Sequence, residues 1–169
     1  MKTNLLISLI VVLVVLFLSG CATPYKPPQT YKFEKERVVN KSYDKVWEML
    51  ITFFVEADIP IEQMDKTSNV IRSKTMKYGS SGKLCDCGVP GSGFGWQGKI
   101  EEVSCNWNIL LTKINENQTK VRVVANYNAL HNLLEMDFNT KLWYITKATT
   151  INCNSTGNFE SAILEFLSK

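Results

Sequence analysis

The sequence predicts an α+β fold in which an antiparallel sheet carries two helices on one face and a long, glycine-rich, disulfide-bearing loop. Three observations lead to this prediction. Apolar residues recur at helical spacing in residues 42–57 and again in 159–167. Other segments alternate apolar and polar residues, as strands with one buried face do. Seven of the nine glycines are concentrated in residues 79–98.

The chain divides into a leader, a tether and one domain. Residues 1–20 have the character of a signal peptide, because their apolar stretch, 5–18, is shorter than the roughly 20 residues that a membrane-spanning helix needs. Residues 21–30 contain three prolines and no apolar period, which predicts an extended tether. The remaining residues, 31–169, are enough for a single α+β domain with its own core.

The first elements of the domain are an edge strand and the clearest helix of the chain. Residues 31–39 are extended in character, but their alternation is imperfect. Ser42 is a suitable helix N-cap, and Asp44 places a negative charge in the first turn. The apolar stripe that follows is interpreted as core rather than as a ligand groove; it consists of Tyr43, Val46, Trp47, Leu50, Phe53, Phe54 and Ala57.

The later elements are mostly strands. Residues 59–65 and 70–76 flank a polar turn at 66–69 and predict a hairpin. A second hairpin is predicted from 105–114 and 121–129, where apolar residues alternate on both sides of a turn. Residues 142–153 indicate a last strand, and 131–140 are ambiguous. A short final helix has one apolar face, made by Phe159, Ala162, Ile163, Phe166 and Leu167.

The glycine-rich segment, 79–98, is predicted to be a long loop, because glycine weakens the interior of helices and strands. Within it, Phe94 and Trp96 place two large rings on a flexible backbone. They are candidates for a contact surface, or for a lid that folds back on the sheet. The glycines do not form a phosphate-binding loop, since no Lys-Ser or Lys-Thr pair ends the run.

Four cysteines lie in the domain: Cys85, Cys87, Cys105 and Cys153. An even number in an exported domain indicates two disulfides. Cys85 and Cys87 are too close in sequence to join each other without strain, so each is expected to reach a distant partner. Two connectivities stay open: Cys85 with Cys105 and Cys87 with Cys153, or the exchanged pairs. The spacing does not match the paired cysteines of familiar zinc sites, so no metal is predicted.

The sequence Leu18-Ser19-Gly20-Cys21 resembles the lipobox of bacterial lipoprotein precursors. The resemblance implies a diacylglyceryl thioether on Cys21 and cleavage before it, followed by acylation of the new amino group in Gram-negative bacteria. Two or three acyl chains would hold the protein stably on a membrane. Because Ala22, and not Asp, follows the cysteine, the family rule implies the outer membrane, and we expect the domain to face the periplasm.

Residues 42–47, the helix that follows and the hairpin at 61–71 resemble domains of small outer-membrane lipoproteins, including the C component of the β-barrel assembly machine. In that family a polar cap precedes an aromatic-bearing helix and a hairpin with an Asp-Lys-x-Ser turn, here residues 65–68. The loop at 85–88 departs from the pattern of that component.

The inventory of side chains excludes some functions and favours others. The 19 Lys and Arg face 16 Asp and Glu without a basic block, which argues against nucleic-acid binding. His131 is the single histidine and is expected to be structural or solvent-exposed rather than catalytic, so no enzyme and no cofactor are predicted. The expected role is a binding or scaffold module whose partner is an envelope protein. The alternative is a carrier of a small apolar ligand or lipid between helix and sheet.

Overall fold

The computed structural model describes residues 22–78 and 82–169; the predicted signal peptide, Cys21 and Gly79 lie outside the described residues. The elements within this part are β1 (Glu36–Val39), α1 (Tyr43–Glu56), β2 (Ile61–Asp65), β3 (Val70–Ser73), β4 (Met76–Tyr78), β5 (Cys85–Asp86), β6 (Ser92–Gly93), β7 (Trp96–Asn115), β8 (Gln118–Met136), β9 (Trp143–Ser155) and α2 (Asn158–Ser168).

The predicted α+β fold class is wrong, because the described chain is dominated by one large antiparallel sheet. Nine strands belong to this sheet, and β7 and β8 alone contain 20 and 19 residues. The helices are short, with 14 residues in α1 and 11 in α2. The alternating pattern in the sequence marks only the buried middle of the β7–β8 hairpin. Both strands continue beyond it, where their side chains are more exposed and the alternation fades.

The β7–β8 hairpin is the centre of the sheet, and its register runs from Trp96↔Glu135 to Asn115↔Gln118. The free side of β7 pairs with β3, β4 and β6, and β2 lies outside β3. The free side of β8 pairs with β1 near the hairpin turn and with β9 farther along. A short pairing joins β5 to the end of β9. The ambiguous residues 131–140 therefore contain the end of β8 and the β8–β9 turn.

The core lies between the sheet and the two helices. Trp107 of β7 stacks on Phe159 of α2 with ring centroids 4.1 Å apart, and Phe53 of α1 contacts Phe166 of α2 at 5.2 Å. The buried strand residues alternate along β7 and β8, so one face of the sheet carries the core. In the helices the buried apolar side chains are Val46, Trp47, Leu50, Phe54, Phe159, Ile163, Leu164 and Leu167. The α1 stripe is thus core, although Ala57 at its end is exposed.

Local chemistry explains the helix start and the first hairpin. The Ser42 hydroxyl accepts a hydrogen bond from the Lys45 amide and caps α1 as predicted. The Asp65 carboxylate accepts hydrogen bonds from the amides of Thr67 and Ser68, which closes the β2–β3 turn. Asn69 takes a positive φ of 61° in that turn, a conformation that asparagine tolerates better than most residues.

Candidate functional site

The four domain cysteines are all buried on the core side of the sheet. Cys105, Tyr127 and Cys153 lie directly opposite one another on β7, β8 and β9. Cys87 forms a disulfide with Cys153, with the two Cα atoms 4.2 Å apart. This bond is one of the pairs predicted from the sequence, and it fastens the glycine-rich segment to β9.

Cys85 and Cys105 are buried thiols in the structure. Burial raises the pKa of Cys85 to about 11, and the charges of Cys105 and Asp86 act in the same direction. Burial also raises the pKa of Cys105 to about 11, although a hydrogen bond with Tyr78 opposes the shift. Both thiols are therefore protonated and weakly nucleophilic at neutral pH. A disulfide between Cys85 and Cys105 stays a prediction.

The sulfur atoms of Cys85, Cys87 and Cys153 lie within 4.8 Å of one another, which is a spacing that a metal ion could bridge. A metal would need thiolates, and two of these three sulfur atoms are joined in the disulfide. The arrangement therefore acts as a crosslink in the oxidised protein.

The segment that follows Cys21 is attached to the glycine-rich segment by hydrogen bonds. Thr23 and Ser92 exchange backbone bonds of 2.7 and 2.9 Å, and Lys26 and Val89 exchange two of 2.9 Å. The Tyr25 hydroxyl donates to the Cys87 carbonyl at 2.8 Å. The predicted tether is thus extended and lies along residues 86–92 of the domain.

Asp86 holds the far end of the same segment. Its carboxylate accepts hydrogen bonds from the Gln29 amide at 2.9 Å, the Tyr31 hydroxyl at 3.2 Å and the Gly88 amide at 2.7 Å. Burial alone would raise the pKa of Asp86, but these hydrogen bonds outweigh it and lower the pKa below its ordinary value. The carboxylate is therefore charged at neutral pH and links residues 29–31 to the loop.

Two glycines permit this close pairing. A Cβ atom at Gly91 would lie 2.5 Å from the Thr23 carbonyl oxygen, and Gly88 faces the Lys26 carbonyl in the same way. Gly88 also has a φ of 82°, which side chains rarely adopt. The glycine-rich sequence therefore serves the contact between two backbones.

The open end of the β7–β8 hairpin carries a cluster of exposed apolar side chains, which we call the apolar tip. Its members are Phe94, Phe138, Leu142, Trp143, Tyr144 and Ile145. Two turns and the start of β9 form it: Phe94 and Gly95 connect β6 to β7, residues 137–142 connect β8 to β9, and the last three members lie on β9. The rings of Phe94 and Phe138 stack with centroids 5.3 Å apart, and the Phe94 side chain is 90% exposed.

The structure separates the two predicted contact residues. Phe94 projects from the turn, whereas Trp96 begins β7 and is half-buried, with its ring packed over Gly93. Sequence reasoning missed the other members of the apolar tip. The available signal was the uninterrupted apolar run at 142–145, which does not alternate as a strand with one buried face should.

An open groove of about 600 Å³ crosses the outer face of the sheet, opposite the helices. Its lining includes the side chains of Arg72, Arg122, Asn106, Asn108 and Leu110 from three adjacent strands. Two guanidinium groups beside amides form a surface suited to carboxylate groups. His131 lies elsewhere, half-buried with its ring 5.1 Å from that of Tyr25.

No protein-family model matches the chain, and a comparison with curated proteins finds no match. Among the described residues, no helix is both long enough and apolar enough to cross a membrane.

Proposed function

We propose that this protein is a bacterial lipoprotein, anchored through lipid on Cys21, that acts as a binding or scaffold module in the periplasm-facing cell envelope. The lipobox at residues 18–21 supports the anchor. The disulfide between Cys87 and Cys153 agrees with an oxidising compartment, where such bonds persist. The Ala22 position favours the outer membrane.

The observation that carries the binding role is the groove on the outer face of the sheet. It lies on the side away from the helices, and its charged lining residues, Arg72, Arg122 and Glu62, sum to one positive charge. The partner that fits is an envelope protein with an acidic surface segment, since guanidinium groups pair with carboxylates. Carriage of a small apolar ligand between helix and sheet is less well supported. Leu50, Phe54 and Trp107 already fill that region and are fully buried.

Metabolic labelling with palmitate tests the anchor. Cys21→Ser should lose the label and leave the precursor uncleaved at that site, whereas Cys105→Ser, a matched change at a buried cysteine, should keep the label. Equal labelling of the wild type and Cys21→Ser would contradict the proposed function.

Crosslinking in cells tests the groove. A photoreactive amino acid at Asn108 should give a discrete adduct, which Arg72→Glu should weaken because it reverses a charge in the groove. A photoreactive residue at Glu48, on the exposed side of α1, is the control. The same adducts from both positions, or none from Asn108, would count against the groove as the binding surface.

A further inference from the structure

We propose that the apolar tip lies in the membrane surface beside the lipid anchor, so that the protein contacts the bilayer at two places. The inference rests on the proposed lipidation of Cys21. It assigns an orientation to the whole domain. The open end of the β7–β8 hairpin contacts the lipid, and the groove on the outer face of the sheet is exposed to the periplasm.

The register of the sheet brings the exposed apolar turns to one end of the molecule. One row of paired residues crosses the molecule just before the turns, and it consists of Thr23, Ser92, Gln97, Leu134 and Ile145. Neighbouring strands are about 4.8 Å apart, so this row spans about 19 Å. Phe94, Phe138 and Trp143 all lie beyond the row, at the same end of the sheet.

The proposed anchor on Cys21 is only a short length of chain away from the same row. Thr23 and Ser92 pair in antiparallel fashion, so Ala22 lies toward the same end of the sheet as Gly93. Cys21 is two residues from Thr23, and two residues span at most about 7 Å. Phe94 is also two residues beyond the row. The attachment point of the acyl chains is therefore no farther from the row than the Phe94 turn is. The anchor thus holds the bilayer surface close to the apolar tip.

The side chains of the apolar tip are of types that favour a membrane surface. Trp and Tyr rings prefer the interface between water and lipid, and Phe and Leu side chains gain by leaving water. Lys141 lies with its Nζ 5.9 Å from the centre of the Phe138 ring, where its charge can reach the headgroups. The charged residues around the β8–β9 turn are Glu135, Asp137 and Lys141, which do not sum to a positive charge. Contact should therefore depend on apolar insertion rather than on anionic lipid.

The contact is favourable because the anchor has already brought the apolar tip to the bilayer. An unanchored cluster of six side chains would have to overcome the loss of translational freedom on binding. With the lipid in place, insertion becomes an intramolecular step at high effective concentration. A protein partner at the same place would have to compete with the bilayer that the anchor holds there.

Tryptophan quenching tests the inference. The lipidated protein is reconstituted into phosphatidylethanolamine–phosphatidylglycerol vesicles, with and without brominated acyl chains. Brominated lipid should quench part of the tryptophan fluorescence of the wild type. Trp143→Phe should remove most of that quenching, whereas Trp47→Phe should keep it, because Trp47 lies in the core.

A second pair of variants keeps the test independent of the tryptophan substitution. Leu142→Asp should abolish the quenching, since a carboxylate resists entering lipid. Met64→Asp is its control, because Met64 is exposed on β2, outside the apolar tip.

Palmitate-labelled protein whose fluorescence is unaffected by brominated lipid would overturn the inference and leave the anchor intact. Quenching that persists in full in Trp143→Phe would also overturn it. Absence of label on Cys21 would instead refute the proposed function.

Discussion

The thiols of Cys85 and Cys105 illustrate how burial sets the reactivity of single side chains. Cys85 lies beside the disulfide, and its sulfur is 3.8 Å from that of Cys87. A thiolate so close could attack the disulfide, but the raised pKa values of about 11 keep the attacking form scarce at neutral pH. Burial thus protects the Cys87–Cys153 bond from exchange.

We predict that the protein is sensitive to alkali when Cys85 and Cys105 are present as thiols, not joined to each other. In the unfolded chain their pKa is near 9, and in the fold it is about 11, so the neutral form is favoured by folding. Their stabilising contribution is complete below pH 9 and is lost as the pH rises from 9 through 11. Urea unfolding from pH 8 to 11 measures it. Cys85→Ala/Cys105→Ala should flatten this part of the pH dependence, and an equal slope in both proteins would show that the thiols are not its source.

Among the strands, β6 and the start of β7 differ from the loop that the sequence predicts for the glycine-rich segment. Glycine usually weakens a strand, so the sequence predicts a loop throughout 79–98. The structure instead places Gly93 in β6 and Gly98 in β7. A Cβ atom at Gly98 would lie 2.7 Å from the His131 Nε2 atom and 3.1 Å from the Pro90 Cβ. Glycine is therefore present because another segment packs on the strand, and a single sequence does not reveal that neighbour.

Elements with a local signal were predicted correctly. The cap at Ser42 and the helical spacing of the buried residues define α1, and the Asp65 turn defines the β2–β3 hairpin. Long-range pairs such as Thr23 with Ser92 have no local signal, since 69 residues separate the partners. The apolar tip depends on such pairs: the apolar run at 142–145 is visible in the sequence, but its position beside Phe94 is not.

The attachment of residues 23–31 to the loop gives a prediction for Asp86→Asn. One oxygen of Asp86 accepts from both Gln29 and Tyr31, and the other from Gly88; an amide keeps only one acceptor. Losing hydrogen bonds to a charged group should lower the local opening free energy at Gln29 by about 1–3 kcal/mol. Hydrogen exchange of the Gln29 amide measures this.

Asp137→Asn is the matched control for Asp86→Asn. A single oxygen of Asp137 accepts from the amides of Asn139 and Thr140, so an asparagine can replace it. Its exchange rates should change little. Unchanged protection at Gln29 in Asp86→Asn would show that the backbone pairs at Thr23 and Lys26 hold the segment without the carboxylate.

Considered as one body, the molecule has a helix-covered part and an uncovered part. The helices pack over the middle of the sheet, while residues 143–150 of β9 are exposed along their length. The uncovered end is held instead by the glycine-rich segment and the residues after Cys21, and the disulfide joins the glycine-rich segment to β9 at the edge of the core. The structural order of this end therefore depends on contacts between residues that are far apart in sequence. Breaking one of these contacts should loosen the uncovered end before it loosens the core.

The disulfide gives the sharpest test of that arrangement. Cys87 and Cys153 are separated by 66 residues, and closing a loop of that length restricts the unfolded chain by about 4 kcal/mol. Reduction should therefore lower the melting temperature, and hydrogen exchange should accelerate first in residues 85–92 and 23–31, which the bond connects to β9.

Cys87→Ala/Cys153→Ala should behave like the reduced wild type and should not respond to reductant, whereas Cys85→Ala should still respond. Non-reducing peptide mapping confirms which cysteines are joined in each sample. A reduced protein with unchanged exchange in both segments would show that the backbone pairs and Asp86 suffice, and that the bond stabilises only the core.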